Sequence, residues 1–174
     1  MAPFVAPSNA TEVIPRLWQG GKPAPGCYSF DLIVLVDDEY QPEASSFPCS
    51  RVLRIPLSDY RLPTPEEYVQ ARLVAETVVA WYRAGNKILV TCGAGLNRSG
   101  LITGLTMKML GYQQDDLIRL IRQARGDRAI RNTGYLAFIA KISSISAPSV
   151  WPVVVLAGYG LLFSAIATVA ASRR

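Results

Sequence analysis

Cys92 and Arg98 stand six positions apart in KILVTCGAGLNRSGL, residues 87–101, and Ser99 and Gly100 follow the arginine directly. A cysteine sulfur can serve as a nucleophile, and an arginine fork can grip two oxygens of one oxyanion, which a lysine cannot do. Gly93, Gly95 and Gly100 let the backbone adopt positive φ or approach a ligand closely. Such a set suits attack on an anionic phosphoryl centre. Residues 87–91 form a short, β-branched apolar run after Gly85-Asn86, which predicts a buried strand. Residues 92–98 read as a tight loop, and Ser99-Gly100 opens the apolar run 101–110, which reads as a helix. Backbone N–H groups in such a loop and in the first helical turn lack internal partners, so Cys92, Gly93, Ala94, Gly95, Leu96, Asn97 and Arg98 form a candidate phosphate cradle. The same positive field favours thiolate at Cys92, and the Ser99 hydroxyl can donate to the sulfur as it departs.

The elements needed to hold this loop are legible on either side of it. Residues 12–20, EVIPRLWQG, predict a short strand pair turning at Pro15-Arg16, with Leu17 and Trp18 in the core. Residues 31–36, DLIVLV, are continuously apolar, as a strand covered on both faces requires, and residues 52–55 predict the next strand. Asp37, Asp38 and Glu39 read as a solvated loop in preference to a metal site, since nothing in the sequence pairs with them. Thr64, Pro65 and Glu67 spell a capping box that starts a helix running to about Ala84. Its predicted apolar face is Val69, Leu73, Val74, Thr77, Val78 and Trp81. Gly111 ends the helix after the loop, residues 115–125 predict another, and Asn132 or Thr133 caps a last one. The basic run Arg119, Arg122, Arg125, Arg128 and Arg131 reads mainly as solvated surface.

A chain of 174 residues suits one domain of ordinary size. Its net charge is +5, two units of which come from Arg173 and Arg174, so phosphorylated substrates fit it and nucleic acid is not called for. There is no histidine, and Cys27, Cys49 and Cys92 have unrelated spacings, which supports neither a zinc site nor a disulfide framework. Cys27 and Cys49 are read as incidental, with a protective bond from either one to Cys92 as the alternative. A reducing, intracellular compartment follows from that reading. The N-terminus lacks the basic start and apolar core of a signal peptide. Residues 151–171 are 21 residues without a charge, about 31 Å as a helix, which matches the hydrocarbon core of a bilayer. They predict a single C-terminal transmembrane helix behind a hinge at 146–149.

Cys92, Gly95, Arg98, Ser99 and Gly100 resemble the signature loop of the cysteine-dependent protein tyrosine phosphatase superfamily, and the segment is most similar to the compact dual-specificity phosphatases. The resemblance implies an α/β fold with a mainly parallel central sheet flanked by helices, over residues 1–147; the uncharged run makes residues 148–174 the expected membrane anchor. It implies hydrolysis of phosphotyrosine, with phosphoserine and phosphothreonine in the same class, through a cysteinyl-phosphate and with no metal or cofactor. Phosphorylated proteins are then the partners, and the reducing compartment read from the cysteines puts the catalytic domain on the cytoplasmic side. In such phosphatases a mobile loop before a helix carries the acid that protonates the leaving group; carried onto this chain, that residue is Asp59, with a turn-forming role as the alternative. Thr91 stands where the family usually has histidine. Two further readings stay open: an RNA 5′-triphosphatase of the same superfamily, whose loop the run 95–100 also resembles, and a phosphate-binding pseudophosphatase.

Overall fold

A computed structural model describes residues 3–40, 42–59 and 63–144. Five strands form one sheet in the order β1-β2-β5-β3-β4. These are β1 (Ala10–Ile14), β2 (Leu17–Gly20), β3 (Leu32–Leu35), β4 (Arg51–Arg54) and β5 (Ile88–Thr91). Only the β1–β2 hairpin is antiparallel; the other pairings are parallel. The sheet is mainly parallel, as expected, and its antiparallel edge makes it a mixed one.

The apolar strands are continuous because both faces of the sheet are covered. Leu32, Val34, Ile88 and Val90 point into a large core shared with the helices. Their alternates Ile33, Leu35 and Leu89 join Phe30, Phe47 and Val52 in a smaller core on the opposite face. The helical side holds α1 (Pro65–Arg83), α2 (Arg98–Met109), α3 (Gln114–Arg125) and α4 (Thr133–Ala140). Helix α1 begins with the predicted capping box: Thr64 Oγ1 accepts from the Glu67 N–H, and Glu67 Oε2 accepts from the Thr64 N–H. Its buried face is rotated from the expected one. Ala71, Val74, Ala75, Val78 and Val79 are inside, while Val69 is 58% exposed. Asn132 caps α4, its Oδ1 accepting from the Tyr135 N–H.

Two sequence expectations about cysteines are corrected. Cys27 and Cys49 form a disulfide, with Cα atoms 5.1 Å apart, and Cys92 is the free thiol. Spacing alone could not reveal this pair, since the loop after β2 and the segment before β4 meet only once the sheet has formed. The predicted span 151–171 lies outside the described residues; among those described, no helix is long and apolar enough to cross a membrane.

Register sets what comes next. Gly20 and Leu35 both pair with Thr91, and Leu35 pairs with Arg54, so four parallel strands end level. The segments that leave them, at 21, 36, 55 and 92, emerge side by side along the carboxyl edge of the sheet, where ligands bind in open α/β folds.

Candidate active site

Cys92 leaves the end of β5 and is buried, its N–H donating to Gly20 O at 3.3 Å. Its Sγ lies 3.3 Å from Ser99 Oγ, in the first turn of α2. That helix starts at Arg98, earlier than predicted, and its N-terminus contrasts with that of α1. No side chain caps it, and Asn97 at the cap position turns its Oδ1 to the Arg131 N–H instead. Among the described residues, the N–H groups of residues 93–98 donate to no protein acceptor. Their carbonyls are all paired elsewhere: Gly93 O accepts from Lys22 N at 3.1 Å, Leu96 O from Ile130 N at 3.3 Å, and Asn97 O from Leu101 N at 2.8 Å. Carbonyls turned outward and N–H groups left over make an anion cradle with Cys92 at its base.

Arg98 is split along its two edges. On one, Nη1 donates to Leu57 O at 3.2 Å and meets Asp38 Oδ1 at 3.1 Å and Asp37 Oδ1 at 3.2 Å. On the other, Nε is buried with no hydrogen-bond partner among the described residues, and Asp59 Oδ2 lies 3.9 Å away. Burial by itself weakens the guanidinium's hold on its proton, but the negative charges of Cys92, Asp37, Asp59 and Asp38 outweigh burial and keep its pKa above the ordinary arginine value. A fork fixed on one edge and unpartnered on the other is ready for a second oxyanion. Nη2 faces Gly93, where an added Cβ would lie 3.0 Å from it and 3.2 Å from Asp37 Oδ2. A side chain at position 93 would push the guanidinium aside.

The structure thus brings Cys92, Arg98, Ser99 and Asp59 together with the loop amides of Gly93, Ala94, Gly95, Leu96 and Asn97. It also corrects the acidic run. Asp37 is buried and ion-paired, not solvated, and Asp38 shares the arginine with it. Asp37 Oδ1 also accepts from the Glu39 and Tyr40 N–H groups, which fixes the turn that aims the carboxylate. A signal existed: the acids directly follow the carboxyl end of the strand beside β5. Arg125 departs from its expected place as well, being half-buried against the loop, and Gln19 is fully buried beneath it. The Thr91 hydroxyl donates to Val34 O at 3.2 Å, so its proton braces two strands and is not turned to the loop. Among the described residues, no cluster of metal-ligating side chains occurs.

An open anion cradle with a cysteine at its base, set at the carboxyl edge of a mixed sheet, defines a dual-specificity phosphatase-like architecture, and solved structures agree. A mouse putative dual specificity phosphatase complexed with zinc tungstate is 25% identical, with a TM-score of 0.66 over 81% of this chain and 90% of that one. Tk-PTP in its active form gives 0.65 at 19% identity, covering 76% and 94%. The human tyrosine phosphatase-like serine/threonine/tyrosine-interacting protein gives 0.61 at 16% identity, covering 75% and 91%. No family model matches the chain, and no curated protein sequence matches it. The fold is similar to that of the dual-specificity phosphatases, and together with the signature loop it supports a cysteine-based protein tyrosine phosphatase-like superfamily.

Proposed function

We propose that this protein hydrolyses phosphomonoesters on proteins, phosphotyrosine first and phosphoserine or phosphothreonine in the same pocket, through a cysteinyl-phosphate. The Cys92 thiolate attacks phosphorus in line while the amides of residues 93–98 and the Nε edge of Arg98 hold the equatorial oxygens. Asp59 gives its proton to the leaving oxygen. The sulfur–phosphorus bond then breaks as water attacks, with Asp59 taking the water's proton and the Ser99 hydroxyl donating to the departing sulfur.

The observation that carries this reading is the pairing of unpartnered N–H groups with an unpartnered Arg98 Nε around one buried sulfur. Three carboxylates already face Arg98, which suits the single phosphoryl group of a monoester better than the charge of an RNA 5′-triphosphate. Phosphate release from p-nitrophenyl phosphate by the full-length chain is the test. Cys92→Ser is expected to end turnover and keep oxyanion binding. Asp59→Asn is expected to slow alkyl phosphates more than aryl ones, whose leaving groups need less help. Turnover undiminished in Cys92→Ser refutes the scheme.

Thr91 favours a second reading, a phosphate-binding module without turnover, because its hydroxyl is engaged with Val34 and no imidazole replaces it. Phosphate binding by the wild-type chain with no release from the aryl ester selects that reading.

Residues 1–147 are the proposed catalytic unit and 148–174 its anchor, with 151–171 spanning the membrane and the catalytic unit facing the cytoplasm. The full-length chain should then stay with membranes under alkaline wash, and release counts against an anchor. The exposed Cys27–Cys49 bond bears on the compartment, since reducing cytosol disfavours such bonds. Trapping free thiols at lysis reports whether that bond stands where the protein resides, and an oxidised pair throughout the cell counts against a cytoplasmic face.

A further inference from the structure

The cradle works only if its carbonyls stay turned out, and two side chains from distant elements hold three of them. Gln19, in β2, is fully buried; its Nε2 donates to Gly95 O at 3.0 Å and lies 3.4 Å from Leu96 O. Arg125, at the end of α3, donates from Nε to Gly95 O at 3.1 Å and reaches Ala94 O from Nη2 at 3.5 Å. Its Nη1 donates to Asn9 O at 2.7 Å and lies 3.4 Å from Thr11 Oγ1, which ties the loop to the edge of the sheet. Every guanidinium nitrogen of Arg125 therefore faces a protein acceptor, and four of its five N–H groups have one. Burial costs this arginine hydration and pulls its pKa below the ordinary value, while the negative charge of Cys92 acts in the opposite sense.

We propose that Gln19 and Arg125 are positioning residues for the phosphate-binding loop, acting through the shared carbonyl of Gly95 to keep the loop amides aimed inward. The inference rests on the phosphatase reading for its ligand class but not on turnover. A peptide plane turns as a unit, so the groups that hold a carbonyl outward also hold the N–H on its far side inward. Gly95, at φ 71°, is the point where this matters most: a Cβ there would overlap the Gly20–Gly21 backbone and lie 2.6 Å from Arg125 Nη2. Because two donors share Gly95 O, removing either leaves that oxygen paired, and removing both leaves it with no donor among the described residues. The two substitutions are therefore coupled.

The test is protection of Cys92 from iodoacetamide by tungstate, in full-length wild type, Gln19→Met, Arg125→Lys, Arg125→Ala and Gln19→Met/Arg125→Ala. Methionine keeps the volume of Gln19 without its donor, so a role in packing alone would survive that change. Each of Gln19→Met and Arg125→Ala is expected to weaken tungstate about threefold to tenfold, Arg125→Lys less than Arg125→Ala, and the double variant by more than the product of the singles. Unfolding midpoints, read alongside, should not follow that order. Wild-type protection that persists within twofold in Gln19→Met and Arg125→Ala overturns the positioning role and leaves the phosphatase reading standing. So does a double variant that merely multiplies the singles. Absence of protection in wild type would overturn both. If Arg125→Ala does not fold, Gln19→Met and Arg125→Lys alone carry the comparison: weakened tungstate at an unchanged unfolding midpoint supports the role, and unweakened tungstate overturns it.

Discussion

Asp37→Asn is the substitution that best isolates what holds Arg98 in place. The carboxylate side chain is 5% exposed and its Oδ1 is 3.2 Å from Nη1. At an effective dielectric constant of about 20, two unit charges at that distance attract by about 5 kcal/mol before desolvation is subtracted. Burying both ions takes back most of this, and hydrogen bonds to charged groups net about 1.5–3 kcal/mol. Asparagine keeps an Oδ1 for the Glu39 and Tyr40 N–H groups, and Leu57 O and Asp38 still face Nη1. The loss should therefore fall at the lower end, about 2 kcal/mol, or about 4–8 °C in Tm for a domain of this size. Asp38 has its side chain 34% exposed and is screened by water, so Asp38→Asn should cost only about 0.5 kcal/mol. Kinetics separate two opposing effects. Removing a negative charge near the cradle favours a phosphate dianion and lowers KM, whereas releasing one edge of the guanidinium misaligns the fork and lowers kcat about tenfold. Urea unfolding and aryl phosphate kinetics on the two single variants are sufficient. Equal stability losses at positions 37 and 38, or an unchanged kcat in Asp37→Asn, would show that the buried carboxylate does not set the arginine.

Three further outcomes follow from other contacts. Gly95→Ala should lose oxyanion binding by about tenfold or more, since its Cβ would overlap the β2 end and its φ disfavours a side chain; tungstate protection of Cys92 reads it, and unchanged protection counts against the cradle geometry. Opening the Cys27–Cys49 bond, which closes a loop with a sequence separation of 22, should lower stability by about 3 kcal/mol in urea unfolding; a loss below about 1 kcal/mol would mean the two loops stay docked without it. Tyr135 is buried with its hydroxyl unpartnered among the described residues, and burial, followed by Asp59, drives its pKa far above the usual tyrosine range. The phenol is then neutral at any working pH, and Tyr135→Phe should leave stability within about 1 kcal/mol and leave the alkaline limb of the kcat profile unmoved; a shifted limb would assign the phenol a proton-transfer role.

What was legible in the sequence and what was not divides along a physical line. The capping box at Thr64, the doubly covered strand at 32–35 and the loop at 92–98 are local: each is specified by residues within a few positions of one another, so reading along the chain suffices. The partners of Arg98 are not local. Asp37 reads as a solvated acid because its cation lies 61 positions away, and only the parallel register of β3 on β5 brings the ends of both strands level. The same holds for Gln19 and Arg125, which reach Gly95 from 76 and 30 positions away, and for the Cys27–Cys49 bond. A buried arginine must find acceptors, since an unpaired guanidinium costs several kcal/mol, so placing Arg98 at the carboxyl edge already demands carboxylates from neighbouring strand ends. Within such a sheet the acids that follow an adjacent strand are the first place to look, and here they are the residues that composition alone would have assigned to water.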